Sequence, residues 1–234
     1  MPDIVVVAAY GKLLPKPVLE LPPHGCLNLH PSLLPRHRGP SPVAAAILEG
    51  DQATGVSLML LDEGMDTGPV IAQREYALTG EETSGELTGT LFDAGADLLA
   101  QSIVPWTRGE LLAQPQDDAH VTVSRKLERA DGLADWTLPA ETLAHQCRAY
   151  APWPGLYSHW QGKTLKLLEV ARLPVAGRRD EPGKVVSGSS GSPLAVSTGD
   201  GLLALARLQL EGRRAVTAPE FLAGYPGLIG EYLG

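Results

Sequence analysis

Residues 3 to 9, DIVVVAA, form an almost unbroken apolar run bounded by turn-forming residues. A run of this kind has to be covered on both faces, so it predicts a strand buried within a parallel sheet, with a layer above and a layer below. No basic residues precede the run, Asp3 interrupts it, and it is too short to span a bilayer. It is therefore read as a strand, with neither an export signal nor a membrane anchor.

The pattern downstream supplies the covering layers. A second strand fits Gly25 to His30. After a Pro/Arg/Gly-rich loop, Ser41 is placed to cap a helix with Pro42 at its first position, Ala44 to Leu48 as its body and Gly50 beyond its end. Val56, Leu58 and Leu60 alternate with Ser57 and Met59 as in a strand, and Pro69 to Leu78 offers another. From Ser84 to Trp106 the apolar positions Leu87, Leu91, Ala94 and Leu98 recur at helical spacing and form one face. Strands interleaved with helices predict an α/β layer structure with a mostly parallel sheet over residues 1–107.

The texture then changes. Residues 108–126 are polar, with Gln114, Pro115, Gln116, Asp117 and Asp118 in succession, and read as a linker. Residues 127–234 begin with a helix-like stretch from Pro139 to Ala149. Short strand-like runs follow at Leu165 to Val170, Gly183 to Val186, Leu194 to Thr198 and Leu202 to Leu210, separated by turns such as Ser187 to Pro193. This is the pattern of a small β-barrel. With 234 residues and 44% hydrophobic content, the chain has material for two such cores. Cys26 and Cys147 stand far apart among core-like residues, as a reducing compartment permits, so a cytoplasmic location is expected.

Charge separates the two halves. Residues 1 to 119 hold 6 Lys/Arg against 16 Asp/Glu, giving −10, while residues 120 to 234 hold 13 against 11, giving +2. A polyanion would be drawn to the second half more than to the first.

Candidate chemistry concentrates in Gly25 to Pro42. Residues two apart in a strand share a face, so Asn28 and His30 project together while Leu27 and Leu29 face the other way. An amide beside an imidazole suits acyl transfer, the amide donating to a developing oxyanion and the imidazole moving a proton. Asp66, in a loop between Gly64 and Gly68, is the carboxylate expected to complete the set, and Asp62 is its competitor. An ionised Asp66 beside His30 would raise the imidazole pKa and fix its tautomer. Residue chemistry alone leaves a purely structural strand end open as the alternative. A zinc site is disfavoured, because His24, Cys26, His30 and His37 lack paired-ligand spacing; no metal is expected.

The motifs extend further than the triad. Asn28 and His30 are followed by Ser32, Leu33, Leu34, Pro35, Arg38 and Gly39, and Asp66 stands in a Gly-x-Asp-Thr-Gly setting. This arrangement resembles the 10-formyltetrahydrofolate-dependent formyltransferases. The segments at 148–155, 198–203 and 208–225 resemble the C-terminal domain of the methionyl-tRNA formyltransferases. The resemblance implies a Rossmann-like catalytic domain followed by an OB-like domain that contacts tRNA. It implies 10-formyltetrahydrofolate as donor, initiator methionyl-tRNA as acceptor, and a monomer.

By position, Asn28, His30 and Asp66 would be catalytic and Ser32, Leu33, Leu34 and Pro35 would line the folate site. Trp136, Trp153 and Trp160 are candidates for nucleotide stacking or for the barrel core, and Arg213 and Arg214 for phosphate contacts. The informative segment begins at Gly25, so one or two βαβ units, of order 30 residues each, are expected upstream. Two other readings stay open: an inactive tRNA-binding remnant, and a formyltransferase acting on an amino sugar nucleotide.

Overall fold

A computed structural model describes residues 1–173, 180–188 and 192–234. The chain divides into two compact units, Met1–Lys126 and Leu127–Gly234. No helix among the described residues is long and apolar enough to cross a membrane.

The first unit is built on a four-stranded sheet in the order β1 (Val5–Ala8), β2 (Cys26–His30), β3 (Ala53–Leu60) and β4 (Val70–Ala77). Helix α1 (Lys16–Leu19) lies between β1 and β2 in the chain, and α2 (Pro42–Glu49) between β2 and β3. The α/β class holds, but the sheet is mixed rather than mostly parallel. Only β1 and β2 run parallel; β2–β3 and β3–β4 are antiparallel. A continuous apolar run reports cover on both faces and says nothing about strand direction. The expectation for the first strand also needs correction. Val5 and Val7 are half-buried while Val6 and Ala8 are exposed, because β1 lies at one end of the sheet.

One face of the sheet packs against α3 (Ser84–Thr107), a long helix opened by a capping box between Thr83 and Glu86. Its buried stripe is Leu87, Leu91, Gly95, Leu98 and Ser102. Leu27, Leu29, Val56, Leu58, Ile71 and Leu98 form the core between helix and sheet. Gly95 rather than Ala94 stands at the closest approach, where a Cβ would lie 3.1 Å from Val56. The other face carries Asn28 and His30 with their cross-strand partners Met59 and Ser57. Helix α2 ends on Gly50 in the left-handed region, as the sequence indicates, but the Ser41 side chain makes no cap bond. Its amide instead donates to Ser124 Oγ at 3.0 Å.

After a short 3-10 helix at Arg129–Gly132, the second unit continues with α4 (Ala140–Ala149) and a curled antiparallel sheet in the order β5 (Leu156–Trp160), β6 (Lys163–Leu173), β9 (Leu202–Leu210), β8 (Leu194–Ser197), β7 (Val185–Ser187). A short β10 (Val216–Thr217) pairs with β9 and leads into α5 (Ala218–Gly224). This is the barrel-like domain expected. Its core gathers Leu143, Leu165, Leu167, Leu203, Leu205 and Leu208 with Trp136 and Trp160. Part of the turn read at Ser187 to Pro193 lies outside the described residues. Cys147 is buried here, and burial pushes its thiol up to about 11, which leaves it protonated and inert.

Ser57, at the centre of β3, ties this framework to the loop after β2. Its fully buried hydroxyl donates to Ser32 O at 2.6 Å and accepts from Leu34 N at 3.0 Å and Gln73 Nε2 at 2.8 Å. Ser57→Ala should therefore leave several polar groups unsatisfied in the interior. A loss of about 1–3 kcal/mol in urea-unfolding free energy is expected, whereas an exposed Ser→Ala change should be close to neutral.

Candidate active site

The site is assembled on the face of β2 opposite α3. His30, the last residue of that strand, is 4% exposed. Its Nε2 lies 2.9 Å from the carbonyl oxygen of His37. A carbonyl only accepts, so Nε2 carries the proton and Nδ1 is left with its lone pair. Nδ1 faces Asp66, with Oδ1 3.6 Å away. That separation is longer than a hydrogen bond and leaves room for a donor to bridge the two acceptors.

Asp66 is held from two sides. Its φ of 57° places it in the left-handed region, and Oδ2 accepts from Gly39 N at 2.7 Å. Gly39 has φ +106°, and a Cβ there would lie 2.5 Å from Ser124 O, so only glycine allows this amide to approach. Asp62, the competitor, turns away and accepts from Thr67 Oγ1 at 2.7 Å and Gly64 N at 3.0 Å on the exposed side of its loop. The expectation that Asp66 would raise the His30 pKa holds for that interaction alone. Burial outweighs it, and the imidazole is lowered below its ordinary value of 6.5. Asp66 and the hydrogen bond to His37 oppose the shift, and the His37 ring adds to it.

The mixed sheet also decides the route by which Asp66 arrives. β2 and β3 are antiparallel, with His30 opposite Ser57 and Leu27 opposite Leu60. The end of β3 therefore lies beside the start of β2, roughly 13 Å of strand away from His30. The loop after β3 must return along the sheet to bring its carboxylate to the imidazole.

Asn28 is half-buried on the same face as His30, and its side-chain amide has no hydrogen-bond partner among the described residues. It is free to donate to an incoming group. The loop that follows is more closed than its composition indicates. Ser32 is fully buried and its hydroxyl donates to Arg36 O at 2.6 Å, and Leu34 is 5% exposed. Leu33 and Pro35 are half-buried and form the loop's accessible part.

His37 is 2% exposed, with Nε2 2.8 Å from Asp51 Oδ2 and Nδ1 3.3 Å from Thr122 Oγ1. Together with Glu49 these residues form a group with metal-ligand geometry, but the Arg36 guanidinium, 2.6 Å from Asp51, already supplies positive charge there.

The polar stretch at 114–124 contributes residues that composition does not single out. Arg38 N donates to Thr122 O at 2.9 Å, Ser124 N to Arg38 O at 2.7 Å, and His37 N to Thr122 Oγ1 at 2.8 Å. These residues run alongside the loop that presents the His37 carbonyl. Their signal in the sequence is only a run of hydroxyl and amide side chains, which a solvated connector shares.

In the second unit, Trp136 and Trp160 are core residues, with Trp136 Nε1 donating to Ser158 Oγ at 3.1 Å. Trp153 is 55% exposed. Arg213 and Arg214 border an open cleft of about 540 Å³ beside Phe221 and Tyr225.

Comparison with known proteins identifies the family. A family model described as formyl transferase matches residues 1–103, and one described as formyl transferase, C-terminal domain, matches residues 126–226. A methionyl-tRNA formyltransferase of Roseiflexus sp. is 46% identical over 235 residues, which is 100% of this chain and 71% of the relative. Another, from Chloroflexus aurantiacus, is 46% identical over 224 residues, 95% of this chain and 72% of the relative. Among solved structures, HypX from Aquifex aeolicus in complex with tetrahydrofolic acid aligns with a TM-score of 0.71 at 20% identity. It covers 98% of this chain and 40% of its own, a likeness of fold. With both of its domains matched and relatives of this identity running its full length, the chain is a formyltransferase and belongs to the methionyl-tRNA formyltransferase family.

Proposed function

We propose that the chain transfers a formyl group from 10-formyltetrahydrofolate to the α-amino group of methionyl-initiator tRNA, in the cytoplasm where translation begins. What carries this reading is the arrangement at His30: Nε2 bound to a peptide carbonyl, Nδ1 left basic, and Asp66 Oδ1 3.6 Å from it. An amine nitrogen brings more than one hydrogen and can meet both acceptors at once, which suits an amine nucleophile better than a hydroxyl.

In the proposed reaction the amine attacks the formyl carbon and His30 Nδ1 accepts the proton the nitrogen sheds. Asp66 stabilises the imidazolium so formed, and Asn28 donates to the oxygen that becomes negative. The departing folate nitrogen needs a proton, and His30 is placed to return the one it took. Leu33 and Pro35 offer apolar cover for the folate, while Ser32 and Leu34 hold the loop's shape from beneath. Exposed Trp153 and the Arg213–Arg214 pair are the proposed contacts to the tRNA.

Asn28→Ala, His30→Ala and Asp66→Ala should each lower kcat by about 10²- to 10⁴-fold. The KM for the folate should change little. The measurement is formyl transfer to charged initiator tRNA, with an amino sugar nucleotide as control acceptor. Near-parental turnover in all three variants would remove the assignment, and transfer to the sugar without tRNA would redirect it.

The direction of the His30 shift gives a second test. Because the active form is neutral, NMR titration of the His30 ring should place its midpoint below 6.5. Asp66→Asn removes a charge that raises this value, so the midpoint should move further down. Stability follows the same proton. The unfolded histidine, at its ordinary pKa, takes up a proton before the folded one does, so stability should decline as pH falls below about 6.5. A His30 midpoint above 6.5 would contradict its assignment as the buried base.

A further inference from the structure

Gln116 occupies a position that the transfer chemistry outlined above does not use. It lies ten residues before the end of the first unit, in the polar stretch 114–124, and is half-buried. Its amide is fully committed. Nε2 donates to Asp66 O at 2.8 Å and to Gly68 O at 2.7 Å, and Oε1 accepts from Arg38 Nε at 3.0 Å. The two carbonyls can only accept and the guanidinium can only donate, so the orientation of the amide is unambiguous. One side chain thus ties the loop bearing Asp66 to the loop bearing His37, Arg38 and Gly39.

Two features make that tie consequential. Asp66 must be carried back along the sheet from the far end of β3, and the loop that carries it is exposed at Asp62, Glu63, Met65 and Thr67. Asp66 also stands at a φ of 57°, a conformation that a non-glycine residue keeps only when its surroundings hold it there. Its carboxylate is anchored by Gly39 N and its carbonyl by Gln116. Arg38, 8% exposed, has its guanidinium fixed between Gln116 and Asp118, with Nη2 3.1 Å from Asp118 Oδ1.

We propose that Gln116 is a positioning residue of the transfer site, its amide fastening the Asp66 loop to the Arg38–Gly39 loop so that the Asp66 carboxylate meets His30. The inference rests on the reading of Asn28, His30 and Asp66 as that site. Gln116 touches neither substrate nor imidazole; it acts through Asp66. The titratable groups that act on His30 are Asp66, from the loop after β3, and His37, from the loop after β2. Of these, the release of Gln116 frees the Asp66 backbone directly.

The test compares Gln116→Met, which keeps bulk and removes all three hydrogen bonds, with Gln116→Ala, in the full chain. Formyl transfer to charged initiator tRNA is expected to lose about 10- to 100-fold in kcat, as for a reacting group misplaced by up to an ångström. KM for the formyl donor should stay within about twofold. NMR titration of the His30 ring without substrate should show its midpoint moving further to the acid side, because the contribution of Asp66 is weakened. In an Asp66→Ala background the same Gln116 substitutions should leave the midpoint where it is.

Parental kcat, an unmoved His30 titration, or an equal effect in both backgrounds would each overturn the assignment. Loss of cooperative unfolding in both variants would overturn it too, since it would make Gln116 a stability residue. If the unsubstituted chain transfers no formyl group, the functional reading fails, while the His30 titration still decides what Gln116 does.

Discussion

A neutral imidazole has one donor nitrogen and one acceptor nitrogen, and nothing in the ring itself decides which will be which. Here the carbonyl of His37 decides, by accepting a hydrogen bond from His30 Nε2 at 2.9 Å and leaving Nδ1 with its lone pair. The carbonyl points that way because His37 sits at a φ of 55°, with its ring pinned by Asp51 and Thr122 and its amide by Thr122. The buried polar network around the loop after β2 has its clearest purpose in holding this one acceptor still. Ser57, Gln73 and Ser32 fix the near side of the loop, and Thr122 and Ser124 fix the far side.

The mixed direction of the sheet sets the second constraint. With β2 and β3 antiparallel, their carboxyl ends lie at opposite ends of the pair, and the carboxylate that faces His30 comes from a loop that must double back. The return places strict demands on backbone. Gly68 closes the loop where a Cβ would lie 1.9 Å from Leu60 O, and Gly39 lets its amide reach the Asp66 carboxylate. These two glycines are geometric necessities, whereas Gly89 and Gly224 have open space where a Cβ would go.

Much of this was legible in the residues because period and packing determine it. The two-residue alternation of β2 correctly puts Asn28 and His30 on one face, and the Leu87–Leu91–Leu98 spacing correctly locates α3. What stayed hidden depends on information that local pattern does not carry. Alternation is blind to strand direction, so the antiparallel entry of β3 and the route of Asp66 could not be read. The segment 114–124 looks like a connector because its side chains are polar, yet Gln116, Thr122 and Ser124 direct that polarity inward to carbonyls and amides of the site. The direction of the His30 shift depends on how deeply the ring is buried, and only the packed structure sets that against the charge of Asp66.

The balance on His30 also bears on how the proposed substrate divides its contacts. The first unit, residues 1–126, holds 8 Lys/Arg against 16 Asp/Glu, a net −8, so it repels a polyanion over much of its surface. A base that depended on a strong local field for its pKa would be disturbed whenever a phosphate backbone came near. His30 is instead kept neutral mainly by desolvation, with its Nε2 held by a peptide carbonyl, and on the proposed reading the phosphates are met by the second unit. On the proposed reading, binding and chemistry are thereby separated. The second unit, net neutral with 11 Lys/Arg against 11 Asp/Glu and with exposed Arg214 and Trp153, is the better placed to contact the tRNA, and the first unit needs to admit only the aminoacyl end.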